Sequence, residues 1–159
     1  EAIEAALEIK TSEQTRALRK LLMYGLMIRD HALHLYFFAL PDYLGRDSIL
    51  EFRENNNQEH QLLHDAFAIK KAGNVLCTWI GGRPVHDMYP KVGGFVKLPD
   101  PSQKQQVIDQ LKSVRKKVFR ALDIFAQDKF NFTRPTNFAA LCPDDFSFLE
   151  GQLKSTHGW

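Results

Sequence analysis

Cysteine is scarce in this chain. Only Cys77 and Cys142 occur among 159 residues, too few for a disulfide framework and too far apart for a Cys-x-x-Cys metal pair. Neither lies in a pattern typical of a nucleophilic cysteine. The scarcity argues against a disulfide-stapled secreted domain, so we expect a reducing compartment, the cytoplasm.

The sequence also has no large excess of positive or negative charge and no long apolar run free of ionisable residues. Lys and Arg number 21 against 19 Asp and Glu, which gives little reason to invoke nucleic acid. The most apolar helical stretch contains Arg29, Asp30, His31 and His34, and a membrane span rarely tolerates so many ionisable groups. We therefore expect neither a nucleic-acid partner nor a membrane span.

One long amphipathic helix is predicted from Thr11 to Leu44. Thr11 is the expected N-cap, and Gln14 would complete a capping box. Pro41 is expected to end the helix, because the residue before a proline is pushed out of the α region. Residues 33–40 are apolar nearly all round, which is typical of a buried helix. The apolar stripe comprises Leu18, Leu21, Leu22, Gly25, Ile28, Ala32, Leu35, Tyr36 and Ala39.

Two more helices and an irregular region follow. The second helix is predicted from about Asp47 or Ser48 to Ala72, with Gly73-Asn74 as its C-cap. The third begins near Ser102, in a capping box with Gln105, and its basic face is interpreted as a solvated face. Residues 74–99 hold too many glycines and prolines for a helix, so we predict strands at Val75–Trp79 and Gly94–Leu98.

The predicted fold class is therefore mainly α, α+β at most, with long antiparallel helices. A small region of strands and loops lies near 74–98, and an aromatic-rich, irregular part follows Asp128. The C-terminal stretch Phe130–Phe148 holds five phenylalanines: Phe130, Phe132, Phe138, Phe146 and Phe148. Exposed apolar surface there and on the long helix would favour self-association.

Two histidine pairs have helical spacing. His31 and His34 lie three apart, and they could relay protons, bind a metal, or be hydrogen-bonded members of the core; the core interpretation is favoured because no third ligand is evident. His60 and His64 lie four apart among Asn and Gln, so a solvated helix face is favoured over a site. The order Glu59-His60 also differs from the zinc-protease motif.

The least generic stretch is a glycine-rich loop. It runs Gly81-Gly82-Arg83-Pro84-Val85-His86 and continues after a short spacer with Val92-Gly93-Gly94-Phe95. Paired glycines allow close backbone approach, and Arg83 and His86 supply a cation and a titratable group. The spacing excludes a Walker phosphate loop; a functional loop and a purely structural turn both remain open.

Together these residues resemble a known family. The run Asp30-His31-Ala32-Leu33-His34-Leu35-Tyr36, followed by Ala39-Leu40-Pro41-Asp42, resembles the histidine-rich helix of nickel–iron hydrogenase large subunits. The loop from Gly81 to His86, with Val92 to Phe95, resembles the family's Gly-Gly-x-x-x-His-Pro and Val-Gly-Gly segments. The opening AIEAALEI and TSEQTRALRKLLMYG also resemble cytosolic members, so the similarity covers most of the chain.

Departures from the family pattern limit what the resemblance implies. Phe37 stands where the family has a third histidine, and Asp87 where it has a proline. The two Cys-x-x-Cys motifs that hold the nickel–iron centre are absent, as is the Pro-Arg-Gly segment near the iron. We therefore expect residues 1–159 to be a single segment, the central piece of a larger large subunit that begins after one cysteine motif and stops before the other.

The resemblance implies a parent enzyme that interconverts molecular hydrogen with protons and electrons. Electrons would pass to a partner iron–sulfur small subunit. The chain alone is expected to be inactive, with no catalytic residue, no metal ligand and no cofactor, while the parent holds the Ni-Fe centre. Residues expected near that active site, without binding the metal, are Arg83, His86, Gly93, Gly94, His31 and His34.

Three alternatives remain open at this stage. The first is the homologous non-nickel subunit of a respiratory NADH–quinone-type complex, which lacks the nickel cysteines. The second is a non-catalytic helical interaction domain. The third is an autonomous metal-binding helical domain that uses the paired histidines.

Overall fold

A computed structural model describes residues 1–53, 55–127, 132–144 and 151–158. Helix accounts for 61% of the chain, and two small antiparallel strand pairs accompany it, so the predicted mainly α fold with a little β is confirmed. Within the described ranges, no helix combines the length and the apolar character needed to cross a bilayer. The elements are α1 (Ala2–Ala6), α2 (Glu13–Ala32), a π-helix (Leu33–Ala39), α3 (Leu40–Tyr43), α4 (Asn57–Gly81), β1 (Pro90–Lys91), β2 (Gly94–Phe95), α5 (Lys104–Phe125), β3 (Ala139–Cys142) and β4 (Gln152–Ser155).

The long predicted helix exists, but its cap and its interior differ from expectation. Ser12 is the N-cap instead of Thr11, and its Oγ accepts from the Thr15 amide at 3.2 Å. Helical structure continues through Pro41 to Tyr43, passing from the α to the π form at Leu33. Pro41 lies in the first turn of α3, where a missing N–H is tolerated. The prediction that Pro41 ends the helix was therefore wrong by one short turn.

The second helix was predicted too early along the chain. Its observed N-cap is Asn56, whose side chain accepts from the Gln58 and Glu59 amides. The segment after Ser48 forms only a single 3-10 turn, Ile49–Glu51. Gly73-Asn74 is not a C-cap: α4 continues to Gly81 and ends at Gly82, which has a φ of 89°. The predicted strand Val75–Trp79 is consequently helix, and of the predicted strand Gly94–Leu98 only Gly94–Phe95 is extended.

The start of α5 is also shifted. Pro101–Gln103 forms a 3-10 turn capped by Asp100, whose Oδ1 accepts from the Ser102 amide at 2.9 Å. Gln105 does not reach back to form a capping box, because its side-chain Nε2 donates to Asp109 Oδ1 at 2.8 Å. The predicted box was therefore wrong, although the helix itself begins only two residues later.

The three long helices pack side by side around two apolar clusters. The cluster near the loop joins Leu22 of α2 to Leu76 and Ile80 of α4 and to Val107 of α5. The cluster at the other end joins later α2 and π-helix residues to earlier α4 and later α5 residues: Ala32, Tyr36, Leu62, Ala66, Ile69, Val114 and Ala121. From the first cluster to the second, residue numbers rise along α2 and α5 but fall along α4. Neighbouring helices therefore run antiparallel, as predicted.

A buried ion-pair group fastens α4 to α5. The Asp65 side chain is fully buried, and Arg120 donates to it through Nε at 2.6 Å and Nη2 at 2.9 Å. Lys117 Nζ and Gln61 Nε2 also donate to Asp65, each at 2.9 Å. Burial raises the pKa of Asp65, but the donors from Arg120, Lys117 and Gln61 together bring that pKa below its usual value. Lys117 and Arg120 of the basic face of α5 therefore pair with Asp65, although both side chains stay partly exposed.

The C-terminal part forms a small hairpin. Strands β3 and β4 pair antiparallel, with Ala139 opposite Ser155 and Cys142 opposite Gln152. Phe132 is 72% exposed and Phe138 is 66% exposed, so these aromatic rings do not close over the described helices. Three of the phenylalanines predicted to form apolar surface lie outside the described residues: Phe130, Phe146 and Phe148.

Candidate functional site

The backbones of α2 and α4 come into close contact at a pair of glycines. A Cβ atom placed on Gly73 would lie 2.8 Å from the Gly25 carbonyl oxygen and 2.7 Å from the Arg29 nitrogen. A Cβ atom on Gly25 would lie 2.8 Å from Cys77 Sγ. This backbone-to-backbone contact explains why Gly73 lies inside a helix instead of ending one, and it brings Arg29 and Cys77 together.

The glycine-rich loop folds back onto the C-terminal end of α4. The Gly81 carbonyl accepts from the amides of Met88 at 2.8 Å and Tyr89 at 3.2 Å. The Tyr89 ring covers Gly82, and the Asp87 carboxyl lies against Gly81, where a Cβ atom would come within 2.5 Å of Asp87 Oδ1. Both glycines are therefore needed for close contact, as the sequence indicated.

Asp87 carries a polar atom without a partner. Its Oδ1 is buried and accepts no hydrogen bond from the described residues. Burial raises the pKa of Asp87, while the nearby positive charge of Arg29 opposes the shift. The Arg29 side chain is largely buried and donates to the Pro84 carbonyl and, at 2.7 Å, to Asp30. A carboxyl group and a guanidinium are therefore held at the base of the loop.

A second charged group ties α1 and α2 to the tip of the loop. Arg19 donates to both Glu4 oxygens, at 2.6 and 2.7 Å, and to the Lys91 carbonyl at 3.2 Å. The Gly93 amide donates to Glu4 Oε1 at 2.5 Å. Hydrogen bonds from Arg19 and then from Gly93 lower the pKa of the nearly buried Glu4 to about 2. Glu4 is therefore a carboxylate at neutral pH and fixes the position of the loop tip.

Between these two groups lies an open cleft of about 620 Å³. Its polar wall is made by Glu4, Arg19, Asp87 and Lys91, which come from α1, α2 and the loop. Its apolar wall is formed by Ile3, Leu22, Met23, Leu26 and Val92. A concave site with few polar groups on an apolar wall is the usual form of a binding or active-site wall, so this cleft is the candidate functional site.

The loop residues predicted from sequence to lie near an active site occupy two different places. Arg83 and His86 are exposed at the outer surface of the loop, where Arg83 Nε donates to the His86 carbonyl. His86 takes a positive φ of 55°, which is unusual for a residue with a side chain. Gly93 contributes its amide to Glu4, and buried Gly94 pairs with Lys91 in the β1–β2 hairpin. Gly93 therefore contacts Glu4, a residue of the cleft wall, while Gly94 lies in the hairpin beside it.

The histidine pairs lie elsewhere. His31 and His34 are both exposed, and His31 Nδ1 contacts the Met27 carbonyl at 2.9 Å. Their predicted location in the helical core was wrong, because both side chains are at the surface. His60 and His64 are also exposed, as the interpretation of a solvated helix face predicted.

Sequence reasoning missed the residues that build the cleft. In the sequence, Glu4 and Arg19 are only polar positions on amphipathic helices, and Asp87 is only a departure from a family proline. The contacts of Arg19 and Glu4 join positions far apart in the chain, so no local pattern reveals them. Asp87 gave a partial signal, because it follows the glycine-rich turn that it contacts at Gly81.

The cysteines do not form a metal pair. Cys77 is fully buried in α4, with its Sγ 4.0 Å from the Leu22 carbonyl, and burial raises the pKa of its thiol to about 11. Cys142 lies exposed in β3. Among the residues that the structure describes, no group of three His, Cys, Asp or Glu side chains could hold a metal ion.

Comparison with known proteins finds similarity to hydrogenase subunits. The alpha subunit of sulfhydrogenase 2 from Pyrococcus furiosus is 35% identical over 128 residues, which is 80% of this chain and 30% of that protein. The alpha subunit of sulfhydrogenase 1 from the same organism is 33% identical over 127 residues, 80% of this chain and 29% of that protein.

A methanogen protein is similar as well. A vhu-type F420-non-reducing hydrogenase subunit of Methanocaldococcus jannaschii is 31% identical over 111 residues, 67% of this chain and 27% of that protein. The chain thus spans less than a third of the length of these relatives. No family model matches it.

Proposed function

The chain belongs to the hydrogenase alpha, or large, subunits, and from that premise we propose that it is the central helical portion of a nickel–iron hydrogenase large subunit. The parent enzyme would split H₂ into two protons and two electrons, or form H₂ from them. The observation that supports this most directly is 35% identity over four-fifths of the chain to a protein more than three times as long as the matched part.

We propose that this portion supplies scaffold and groups beside the active site, and no metal ligand. Thiolates suit nickel and iron because soft ligands favour such centres. Cys77 is fully buried within α4 and has no second cysteine near it in the sequence, so it does not fit a paired ligand position. The nickel–iron centre of the parent would be held by cysteines outside these 159 residues.

Exposed residues of the glycine-rich loop support the proposal that this loop contacts the rest of the large subunit. Arg83 and His86 are exposed there, and so are the apolar side chains of Val85 and Met88 in the same loop. Apolar groups concentrated on one loop are typical of a contact surface. In the parent protein this face would lie toward the metal centre, and Arg83 and His86 would act as positioning residues.

The electron partner follows from the same proposal. Electrons from the parent site would pass to an iron–sulfur small subunit, and the enzyme would work in the cytoplasm. Helices α2, α4 and α5 would form a rigid support for the loop, because two apolar clusters and the Asp65 ion pairs hold them together.

The proposal is tested in the parent large subunit with its native partners. H₂-dependent reduction of an oxidised viologen dye, in which each H₂ reduces two dye molecules, would be measured for Arg83→Ala and His86→Ala. We expect activity to fall at least tenfold while nickel content per subunit stays at the wild-type level, since neither residue binds the metal. Arg115→Ala and His157→Ala, both at exposed positions away from the loop, are matched controls and should leave activity unchanged.

Three outcomes would contradict parts of the proposal. Wild-type activity in both loop variants would remove Arg83 and His86 from the active-site surroundings. Loss of nickel in either variant would make that residue a metal ligand instead of a positioning residue. A parent gene that lacks both flanking Cys-x-x-Cys motifs would contradict the nickel–iron assignment itself.

A further inference from the structure

We propose that His60 and His64 form a surface site for a divalent transition-metal ion with tetragonal or octahedral coordination, Cu²⁺ in preference to Ni²⁺ and Zn²⁺. The site does not depend on the proposed hydrogenase function. It lies on the N-terminal half of α4, whereas the glycine-rich loop and the cleft lie at the other end of that helix.

The two imidazole rings are in direct contact, edge to face. Their Nε2 atoms share a hydrogen bond of 3.0 Å, and their ring centroids are 4.3 Å apart. When the proton of that bond moves to Nδ1 of the same ring, both Nε2 atoms can bind an ion. Residues four apart on a helix share one face, and both of these side chains are exposed. Because neutral imidazole nitrogens bind transition metals, the pair presents two donor atoms on a rigid backbone.

The distance between the two Nε2 atoms allows both of them to bind one metal ion. With metal–nitrogen distances of about 2.0–2.1 Å, a 3.0 Å gap between the nitrogens corresponds to a nitrogen–metal–nitrogen angle of about 91–97°. That angle is close to the 90° between neighbouring ligands in square-planar and octahedral complexes, and smaller than the tetrahedral angle of about 109° preferred by Zn²⁺. The geometry therefore favours Cu²⁺ and Ni²⁺, and the general affinity order of divalent metals places Cu²⁺ first.

The surroundings of the pair leave room for the ion. Asn57, one turn before His60, is exposed and uncharged. The nearby carboxylates are engaged elsewhere, Glu59 with Arg46 and the Arg53 amide, and Asp65 with Arg120 and Lys117. Water would fill the remaining coordination positions, so the site would bind and release its metal reversibly.

Copper titration of the full 159-residue chain tests the site. Isothermal titration calorimetry with Cu²⁺ alone in a weakly coordinating buffer, on the chain with Cys142→Ser so that the exposed thiol neither binds nor reduces copper, should show one Cu²⁺ ion per chain at the site of highest affinity. Electron paramagnetic resonance of the same sample should show a tetragonal Cu²⁺ signal with nitrogen splitting from two imidazoles. His60→Ala and His64→Ala should each weaken that binding at least tenfold, and the double variant should bind only slightly more weakly than either, because a chelate needs both rings.

The second exposed pair provides the matched control. His31→Ala/His34→Ala removes two exposed histidines of α2 and the π-helix and should leave the tightest Cu²⁺ site unchanged. Circular dichroism should be the same for all variants, since the four side chains lie at the surface. Unchanged copper affinity in His60→Ala or His64→Ala, or loss of the tightest site in the control variant instead, would overturn the proposal.

Discussion

A Cβ atom on Gly73 would lie 2.8 Å from the carbonyl oxygen of Gly25, so the backbones of α2 and α4 touch where these two residues meet. The contact sets the spacing of α2 and α4. It also places Arg29 and Cys77 next to each other beneath the glycine-rich loop. The loop, the cleft and the helical support therefore depend on two positions where no side chain fits.

Gly73→Ala should destabilise the chain by roughly 1–3 kcal/mol, the usual range for overpacking a tight contact. The added methyl group would meet backbone atoms of Arg29 and Gly25, which cannot move aside without separating the helices. The better helix propensity of alanine offsets about 1 kcal/mol of the clash. Urea denaturation monitored by circular dichroism measures the difference.

Cys77→Ala should relieve the steric clash of Gly25→Ala but not that of Gly73→Ala. The methyl group of Gly25→Ala would meet mainly the Cys77 side chain, so Cys77→Ala should recover part of the stability lost in Gly25→Ala. The same change should recover nothing in Gly73→Ala, where the clash is with backbone. Equal recovery in both backgrounds would show that the backbone contact does not set the spacing.

Glu4 should make folding sensitive to acid. Its pKa is about 2 in the folded chain against 4.5 for an unperturbed group, so the unfolded state binds more protons between these values. Stability contributed by Glu4 is then present above about pH 4.5 and lost as the pH falls toward 2. Glu4→Gln should lower the melting temperature at pH 7 and flatten the pH dependence in this window. The exposed Glu8→Gln is the matched control and should behave like the wild-type chain.

Asp65 should contribute more to stability than any surface carboxylate of α5. Asp65→Ala removes a fully buried acceptor of donors from Arg120, Lys117 and Gln61, and hydrogen bonds to charged groups contribute roughly 1.5–3 kcal/mol each. Because Lys117 and Arg120 are partly exposed, they can turn to solvent, so we expect a loss of about 2–4 kcal/mol in all. Asp123→Ala, at an exposed position of α5, should cost less than about 0.5 kcal/mol. A loss that small for Asp65→Ala would mean that the ion pairs do not fasten α4 to α5.

Asp87 should behave in the opposite way to Glu4. Burial raises the pKa of Asp87 in the folded chain, so folding disfavours its charged form and stability falls as the pH rises above about 3.8. Asp87→Asn should therefore be at least as stable as wild type at pH 7. Urea denaturation at pH 4 and pH 7 tests this. A clear loss at pH 7 would mean that the carboxylate has a stabilising partner.

Self-association of the isolated chain is expected from its exposed apolar side chains. Phe119 and Leu122 are each 50% exposed on neighbouring turns of α5, and Phe38 and Phe138 are exposed still more. A symmetric dimer buries such a surface against itself. Sedimentation equilibrium should give a mass above 18.3 kDa that rises with concentration, and Phe119→Lys/Leu122→Lys should reduce it. A constant mass of 18.3 kDa would contradict the prediction.

Local sequence patterns determined much of the architecture. Apolar residues at helical spacing specify α2 and α5 within a few residues, because burial of one face stabilises a helix wherever that spacing occurs. The paired glycines from Gly81 to Gly94 marked the loop correctly, since they act through their own backbone freedom. The hydrogenase-like motifs were also recognisable without any structure, because they depend on residue order alone.

Tertiary structure alone decided the rest. Gly73 has the local chemistry of a helix end, yet α4 continues through it because the contact with Gly25 leaves no room for a side chain. Asp65 gains its ion pairs, and Glu4 its low pKa, from residues far away in the chain. His31 and His34 lie in an apolar sequence but at the surface, because the packing of α4 and α5 determines which face of α2 is covered. Burial and charge pairing depend on the neighbours that folding brings together, and a local pattern holds no information about them.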